Sequence, residues 1–468
     1  MKQNKKVIGE ISGKNLFASH DLTEGSIIKA LLFASIPIII ANILQVSFQL
    51  VDRFWVGQLG TDAVAAITIS FPIMFVVSSL IMGISIAGTI LVGQYKGQKN
   101  QKMIDYISTQ SMSIIAILAI VLGIIGFLLS EFILTFFTSD LIVLAQATSY
   151  VQISFLGIIF VFLYFEFQAL LRGVGNVIMP TILILIASIL NFFIDPLFIM
   201  GFTLNGVQII PAMGITGSAW ATILCQGLAG IAGVIILIRG KSGVRLDPKF
   251  IVPEVKTIKR MLALGIPSSV EFLSRSLGGV LVMLIVSGFG TMVIAVYGTG
   301  QFIFSLVLMP ALGLSVGTST IVSQCVGAKK IKRLKDTLKL STILSFVLLT
   351  IIGVLLILFS SEIAQIFLPN SLEAISETIN YINIISLAFG CLGVQTIIIG
   401  AIRGTGSTKT AMLLSMFYLA VIIILTWLFP MFLGYEGIWW AQTASIMIAL
   451  LISLIVLKKF NWEKVRAI

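Results

Sequence analysis

Asp195 stands four residues after Asn191 in "IASILNFFIDPLFIMG", residues 186–201, and almost everything around the pair is apolar. A carboxylate at the centre of a membrane-spanning helix costs roughly 2.5 to 3.5 kcal/mol on insertion scales, so such residues are rare and mark ion or proton pathways. Spacing of four puts Asn191 and Asp195 on one helix face. Pro196 follows at once and cannot donate to the carbonyl of Phe192, leaving an oxygen free to bind a cation or water. A second intramembrane acid, Asp52, ends "SFQLVD" in an earlier apolar run, with Arg53 beside it. Adjacent helical residues point about 100° apart, so Asp52 can face inward while Arg53 faces outward. These residue types can exchange a proton or hold Na+ with Asn and Thr oxygens, and the pattern leaves both open.

The elements that must carry these groups are membrane helices. The chain is 58% hydrophobic and only 10% charged, with a mean hydropathy of +1.11. Twelve apolar segments are long enough to cross a bilayer: 28–56, 63–93, 107–130, 149–171, 177–201, 214–238, 262–288, 292–325, 340–360, 380–402, 409–433 and 437–457. The net charge of +11 does not point to nucleic acid, because lysine and arginine collect on alternate connections while acids collect on the others. By the positive-inside rule both termini and the central linker are expected in the cytoplasm of a multi-pass plasma-membrane protein. Residues 1–27 are polar and lack a signal-peptide pattern, so the first apolar run is expected to remain as a helix.

A shift of 230 residues lays Pro37 on Pro267, Gly60-Thr61 on Gly290-Thr291, Gly83 on Gly313, Gln94 on Gln324 and Lys99 on Lys329. "LRGVGN" (171–176) matches "IRGTGS" (402–407) at 231, and "GSAWAT" (217–222) matches "GIWWAQ" (437–442) at 220. The expected fold is therefore an all-α integral membrane protein, with twelve transmembrane helices in two parallel-repeat six-helix lobes. Its parts are an N-terminal segment (1–27), N-lobe (28–238), linker (239–261), C-lobe (262–457) and tail (458–468). Transporters are commonly built from such repeats, with alternating access between the halves.

The duplication also separates architecture from function. Asp52 aligns with Val282, Asp195 with Thr426 and Asn191 with Ile422, so the fold does not require the N-lobe acids. Glu271 and Arg275, four apart, are expected to form a self-contained ion pair. Glu166 is placed near the "LLRG" helix end as a gating or pathway group. The cysteines Cys225, Cys325 and Cys391 have no paired spacing and are expected to be packing residues. The lone His20 has no partners, no catalytic set or metal-ligand cluster is present, and "RGVGN" lacks the strand and lysine of a phosphate loop, so an enzyme is not expected.

"VDRFWVGQLGTDAVAA", "GQYKGQ", "LLRGVGNVIMPTILILIASILNFFIDPLFIMGF" and "GITGSAWAT", echoed by "SQCVGAKK" and "IRGTGSTKT", together resemble the multidrug and toxic compound extrusion (MATE) family over nearly the whole chain. The resemblance implies export of amphipathic, often cationic, drug-like compounds in exchange for H+ or Na+. No other cofactor is expected, and the protein is expected to act as a monomer. In the DinF-like branch the coupling residues match Asp52, Asn191, Asp195 and, in the sixth helix, Thr222. Gln45 and Gln49 resemble lobe-lining residues of the substrate pathway, and Pro37 a hinge. The sodium-coupled sister branch carries a glutamate where this chain has Arg275, so no C-lobe ion site is expected. The alternative within the same superfamily is a flippase for lipid-linked precursors.

Overall fold

Runs this apolar leave no water for backbone groups within a bilayer, and a helix satisfies every N–H and C=O internally. The computed structural model describes residues 21–204, 207–369, 371–463 and 465; His20 and the rest of segment 1–20 lie outside them, as does most of the end of the tail. The N-terminal half contains α1 (Ile27–Gly57), α2 (Thr61–Gly97), α3 (Gln101–Leu134), α4 (Leu141–Gly173), α5 (Ile178–Ile199) and α6 (Ile215–Arg239). The second half contains α7 (Val255–Ser287), α8 (Thr291–Gly327), α9 (Ile331–Leu358), α10 (Ser360–Phe367), α11 (Leu372–Ser386), α12 (Phe389–Gly404), α13 (Thr408–Leu428), α14 (Pro430–Leu433) and α15 (Glu436–Lys459). Among the described residues, 11 helices can cross a membrane, or 12 if α11 and α12, bent by 48°, form one broken span.

The repeat extends to backbone conformation. Lys99 and Lys329 both adopt left-handed φ, 58° and 57°, although L side chains disfavour it. Each sits in the same C-terminal turn, where Asn100 N donates to Tyr95 O at 3.1 Å and Lys330 N to Cys325 O at 2.9 Å. Gly175 and Gly406 turn at φ 81° and 91°, which makes "RGVGN" and "RGTGS" tight turns.

One compact unit holds Ile40–Ser269, and the other holds Leu22–Ile39 with Val270–Ile468. The border thus falls inside α1 and α7, two residues after Pro37 and two after Pro267, whereas the sequence suggests a border in the linker. Hydrogen bonding at the lysine-rich end explains the difference. Gln101, Asp105 and Thr109 lie on one face of α3 and bond the linker backbone at Gly243 O, Arg245 N and Asp247 N, at 3.2, 2.9 and 3.0 Å. Gln110, fully buried, donates to Phe250 O and Val252 O and accepts from Glu254 N, at 2.6, 2.8 and 2.7 Å. The linker therefore belongs to the first unit. In the second, Arg333 holds the segment before α1 through the carbonyls of Leu22, Glu24 and Gly25, all within 3.1 Å.

Gln110→Ala removes three of these bonds at once. It is expected to lower stability by about 1–3 kcal/mol and to speed limited proteolysis of residues 243–254 in detergent; unchanged cleavage there would show that the linker does not depend on α3.

The all-α expectation needs one addition. Phe202–Leu204 and Val207–Ile210 form an antiparallel hairpin, β1–β2, in the connection between α5 and α6. Beyond it, Met213 N and Gly214 N donate to Phe198 O and Ile199 O, both at 3.0 Å, and so satisfy carbonyls at the end of α5.

Candidate functional site

The buried residues of α5 are Pro180, Ile184, Ala187, Asn191, Asp195 and Ile199, a stripe at helical spacing that packs against α6. Phe192 and Phe193 face outward, at 51% and 63% exposure. Helical geometry thus turns Asn191 and Asp195 into protein and their aromatic neighbours to the exposed side of α5. Both polar residues are fully buried, and the Asn191 amide has no hydrogen-bond partner among the described residues.

Asp52 reaches the same cluster from the second half of α1. The Thr222 hydroxyl donates to Asp52 Oδ1 at 3.5 Å, and Asp195 and Ser218 also interact with that carboxyl. Thr222 and Ser218 are four apart on α6, with Cys225 one turn further and within electrostatic range of both acids. Tyr150 on α4 senses both acids as well. Four helices therefore supply one polar cluster inside an apolar lobe. Two negative charges in such surroundings are costly, and a cation or a shared proton relieves the cost.

Sequence reasoning missed Ser218, Tyr150 and Cys225. The spacing of Ser218, Thr222 and Cys225 along one face of α6 was the available signal, whereas Tyr150 has none because its placement depends on packing. The matching C-lobe positions, Val282, Ile422 and Thr426, are buried and carry no acid.

Gln45 is half-buried and Gln49 exposed on α1. Glu166, expected as a gating or pathway group, lies fully buried in the lobe core. Its Oε1 accepts from Ser111 Oγ, Ser85 is beside it, and a Cβ on Gly88 would approach Oε1 to 2.8 Å. The physical reason is that α4 packs against α2, α3 and α6, leaving little of its circumference free. Arg53 is exposed and lies over the Phe71 ring at 5.5 Å, still within electrostatic range of Asp52. The Glu271–Arg275 pair is not self-contained, because Arg275 and Arg403 each place Nη2 3.6 Å from the same Glu271 Oε1.

Comparison with known proteins agrees with this architecture. The MatE family model matches twice, at residues 37–197 and 267–428, once per repeat. The probable multidrug resistance protein YoeA of Bacillus subtilis is 27% identical over 436 residues, covering 92% of this chain and 93% of its own. The probable multidrug resistance protein NorM of Thermotoga maritima is 26% identical and covers 96% of each chain. A solved structure described as the outward-facing conformation of a multidrug resistance MATE family transporter of the MOP superfamily superposes with a TM-score of 0.86 at 20% identity, over 96% of this chain and 98% of its own. None of these relatives favours a lipid-precursor flippase. With both halves matched by the family model, this chain belongs to the multidrug and toxic compound extrusion family, whose members are membrane transporters and not enzymes.

Proposed function

We propose that the protein is a secondary antiporter, exporting amphipathic, cationic drugs or toxic compounds in exchange for H+ or Na+. The observation that carries this reading is the convergence of half-buried Asp52 on the buried Asn191 and Asp195 of α5, with Thr222 bonded to Asp52 and Asn191 one turn from Asp195. Coupling needs a site whose occupancy changes the relative free energy of two conformations. An acid pair with one buried member is suited to this, because binding H+ or Na+ removes an electrostatic cost that a conformational change can also remove. Na+ would take oxygens from Asp52, Asn191, Asp195 and Thr222. The proline in α1, two residues before the border between the compact units, supports Pro37 as a hinge. The multidrug resistance relatives support drug-like cargo, and the alternation of basic connections supports a plasma-membrane protein with both termini cytoplasmic. It works in this reading as a monomer.

Reconstitution into proteoliposomes with ethidium, an amphipathic cationic dye, tests the proposal. Either an imposed proton gradient or an imposed sodium gradient is expected to drive dye transport, and the one that does identifies the coupling ion. Dye movement indifferent to both gradients would rule out antiport with these ions.

A further inference from the structure

Glu271, Arg275 and Arg403 form a second buried charged cluster, in the unit that lacks the acid pair. Two guanidinium groups, from α7 and α12, share one carboxylate oxygen at 3.6 Å, longer than a hydrogen bond. The cluster therefore carries one excess positive charge while Glu271 is only 1% exposed and Arg403 only 7%. Arg403 lies over the Phe272 ring at 6.0 Å, and Tyr418 on α13 faces Arg275. Among the described residues, Nε of both arginines and Oε2 of Glu271 are buried without a hydrogen-bond partner. Arg275, at 30% exposure, is the open side of the cluster.

The first repeat shows that the fold does not need this arrangement. Arg403 corresponds to Arg172, whose Nε donates to Gln168 O at 3.2 Å and which has the single acid Glu166 as charged neighbour. Glu271 and Arg275 correspond to Ala41 and Gln45. One lobe balances one arginine with one glutamate; the other sets two arginines against one.

An uncompensated buried cation is costly unless something negative joins it. The planar guanidinium forks, with free Nε edges, match the two oxygens of a carboxylate or the face of a phosphate. We infer that Glu271, Arg275 and Arg403 form an anion-binding site in the second unit, which takes either a small inorganic anion or the carboxylate or phosphate group of an amphipathic substrate. Glu271 then acts as an internal competitor that holds the arginines apart from each other until the anion arrives. The inference is independent of coupling at Asp52 and Asp195.

Binding of the fluorescent carboxylate dansylglycine, compared with its neutral methyl ester, to the purified full chain in uncharged detergent provides the test. The acid is expected to bind about tenfold or more tightly than the ester, the scale of a charge-assisted contact. Arg275→Gln, which installs the residue of the first repeat, is expected to erase that preference, while Arg275→Lys keeps part of it. Glu271→Gln is expected to strengthen acid binding, and Arg239→Gln, an exposed charge elsewhere, to leave it unchanged. Thermal melts on each variant establish that it is folded. Adding chloride to a zwitterionic buffer free of carboxylates and phosphate separates the sources: displacement of the dye by millimolar chloride identifies an inorganic anion, and dye export from proteoliposomes without displacement identifies a substrate group. Equal binding of acid and ester by the wild type, or a preference that survives both Arg275→Gln and Arg403→Gln, would overturn the inference and leave the cluster a strut between α7 and α12.

Discussion

Asp52→Asn and Asp195→Asn are each expected to lower gradient-driven dye efflux by on the order of a hundredfold, the loss expected when a coupling charge rather than one ordinary contact is removed. Asparagine keeps nearly the same volume and can still accept from Thr222, so the change isolates the ionisable group. The two substitutions should also have a stability signature that distinguishes them from structural damage. Asp195 is fully buried and interacts with the half-buried Asp52 carboxyl, so ionising both at once is costly. Replacing either acid with a neutral amide removes a group that is costly to ionise beside the other, and is expected to leave the melting temperature unchanged or raise it, by about 1–3 kcal/mol in stability. Loss of efflux together with an unchanged or higher melting temperature thus marks a functional acid pair. Efflux retained in both variants would remove the N-lobe acids from the mechanism. Loss of efflux with a falling melting temperature would make them part of a structural network.

What the sequence makes readable here divides along the range of the interactions involved. The spans are legible because bilayer thickness demands about 20 apolar residues in a row, a local property. The acid site is half legible for the same reason: four-residue spacing puts Asn191 with Asp195, and the duplication shows that neither is architectural. Its other members come from α4 and α6, which only packing brings to Asp52. The second arginine on Glu271 is likewise invisible locally, since Arg403 lies on a different helix and its motif reads as a turn. Burial of Glu166 follows from the neighbours of α4, which no periodicity reveals. Two further signals lie in the sequence. Gln101, Asp105, Thr109 and Gln110 give the start of α3 a polar face that calls for partners, and Asn205-Gly206 between short β-prone runs is a hairpin signature. The border within α1 and α7 leaves only Pro37 and Pro267 as its trace, and a proline says where a helix can bend without saying which residues it then joins.

The repeat supplies a matched control for how the acid site is positioned. Gly217 and Gly437 occupy equivalent places near the starts of α6 and α15, and each lets two backbones touch. A Cβ on Gly217 would lie 2.4 Å from Phe198 O and 2.8 Å from Ile199 N; one on Gly437 would lie 2.6 Å from Phe429 O and 2.7 Å from Pro430 N. Backbone atoms cannot rotate away, so alanine at either position must push the helices apart, at about 1–3 kcal/mol for overpacking of this kind. The steric injury is nearly the same in both lobes, but the surroundings differ. Gly217 precedes Ser218 and contacts α5 three residues beyond Asp195, whereas the position matching Asp195 near Gly437 is Thr426. Gly217→Ala is therefore expected to lose efflux by on the order of tenfold to a hundredfold, since a displacement of about 1 Å misplaces groups that must share one ion or proton. Gly437→Ala is expected to melt at a similarly reduced temperature while retaining most of its efflux per folded molecule. Measuring both variants in the same liposomes, normalised to folded protein, separates positioning from stability: equal losses would mean that the close approach of α5 and α6 serves the fold alone, and a selective loss at Gly217 ties it to the acids.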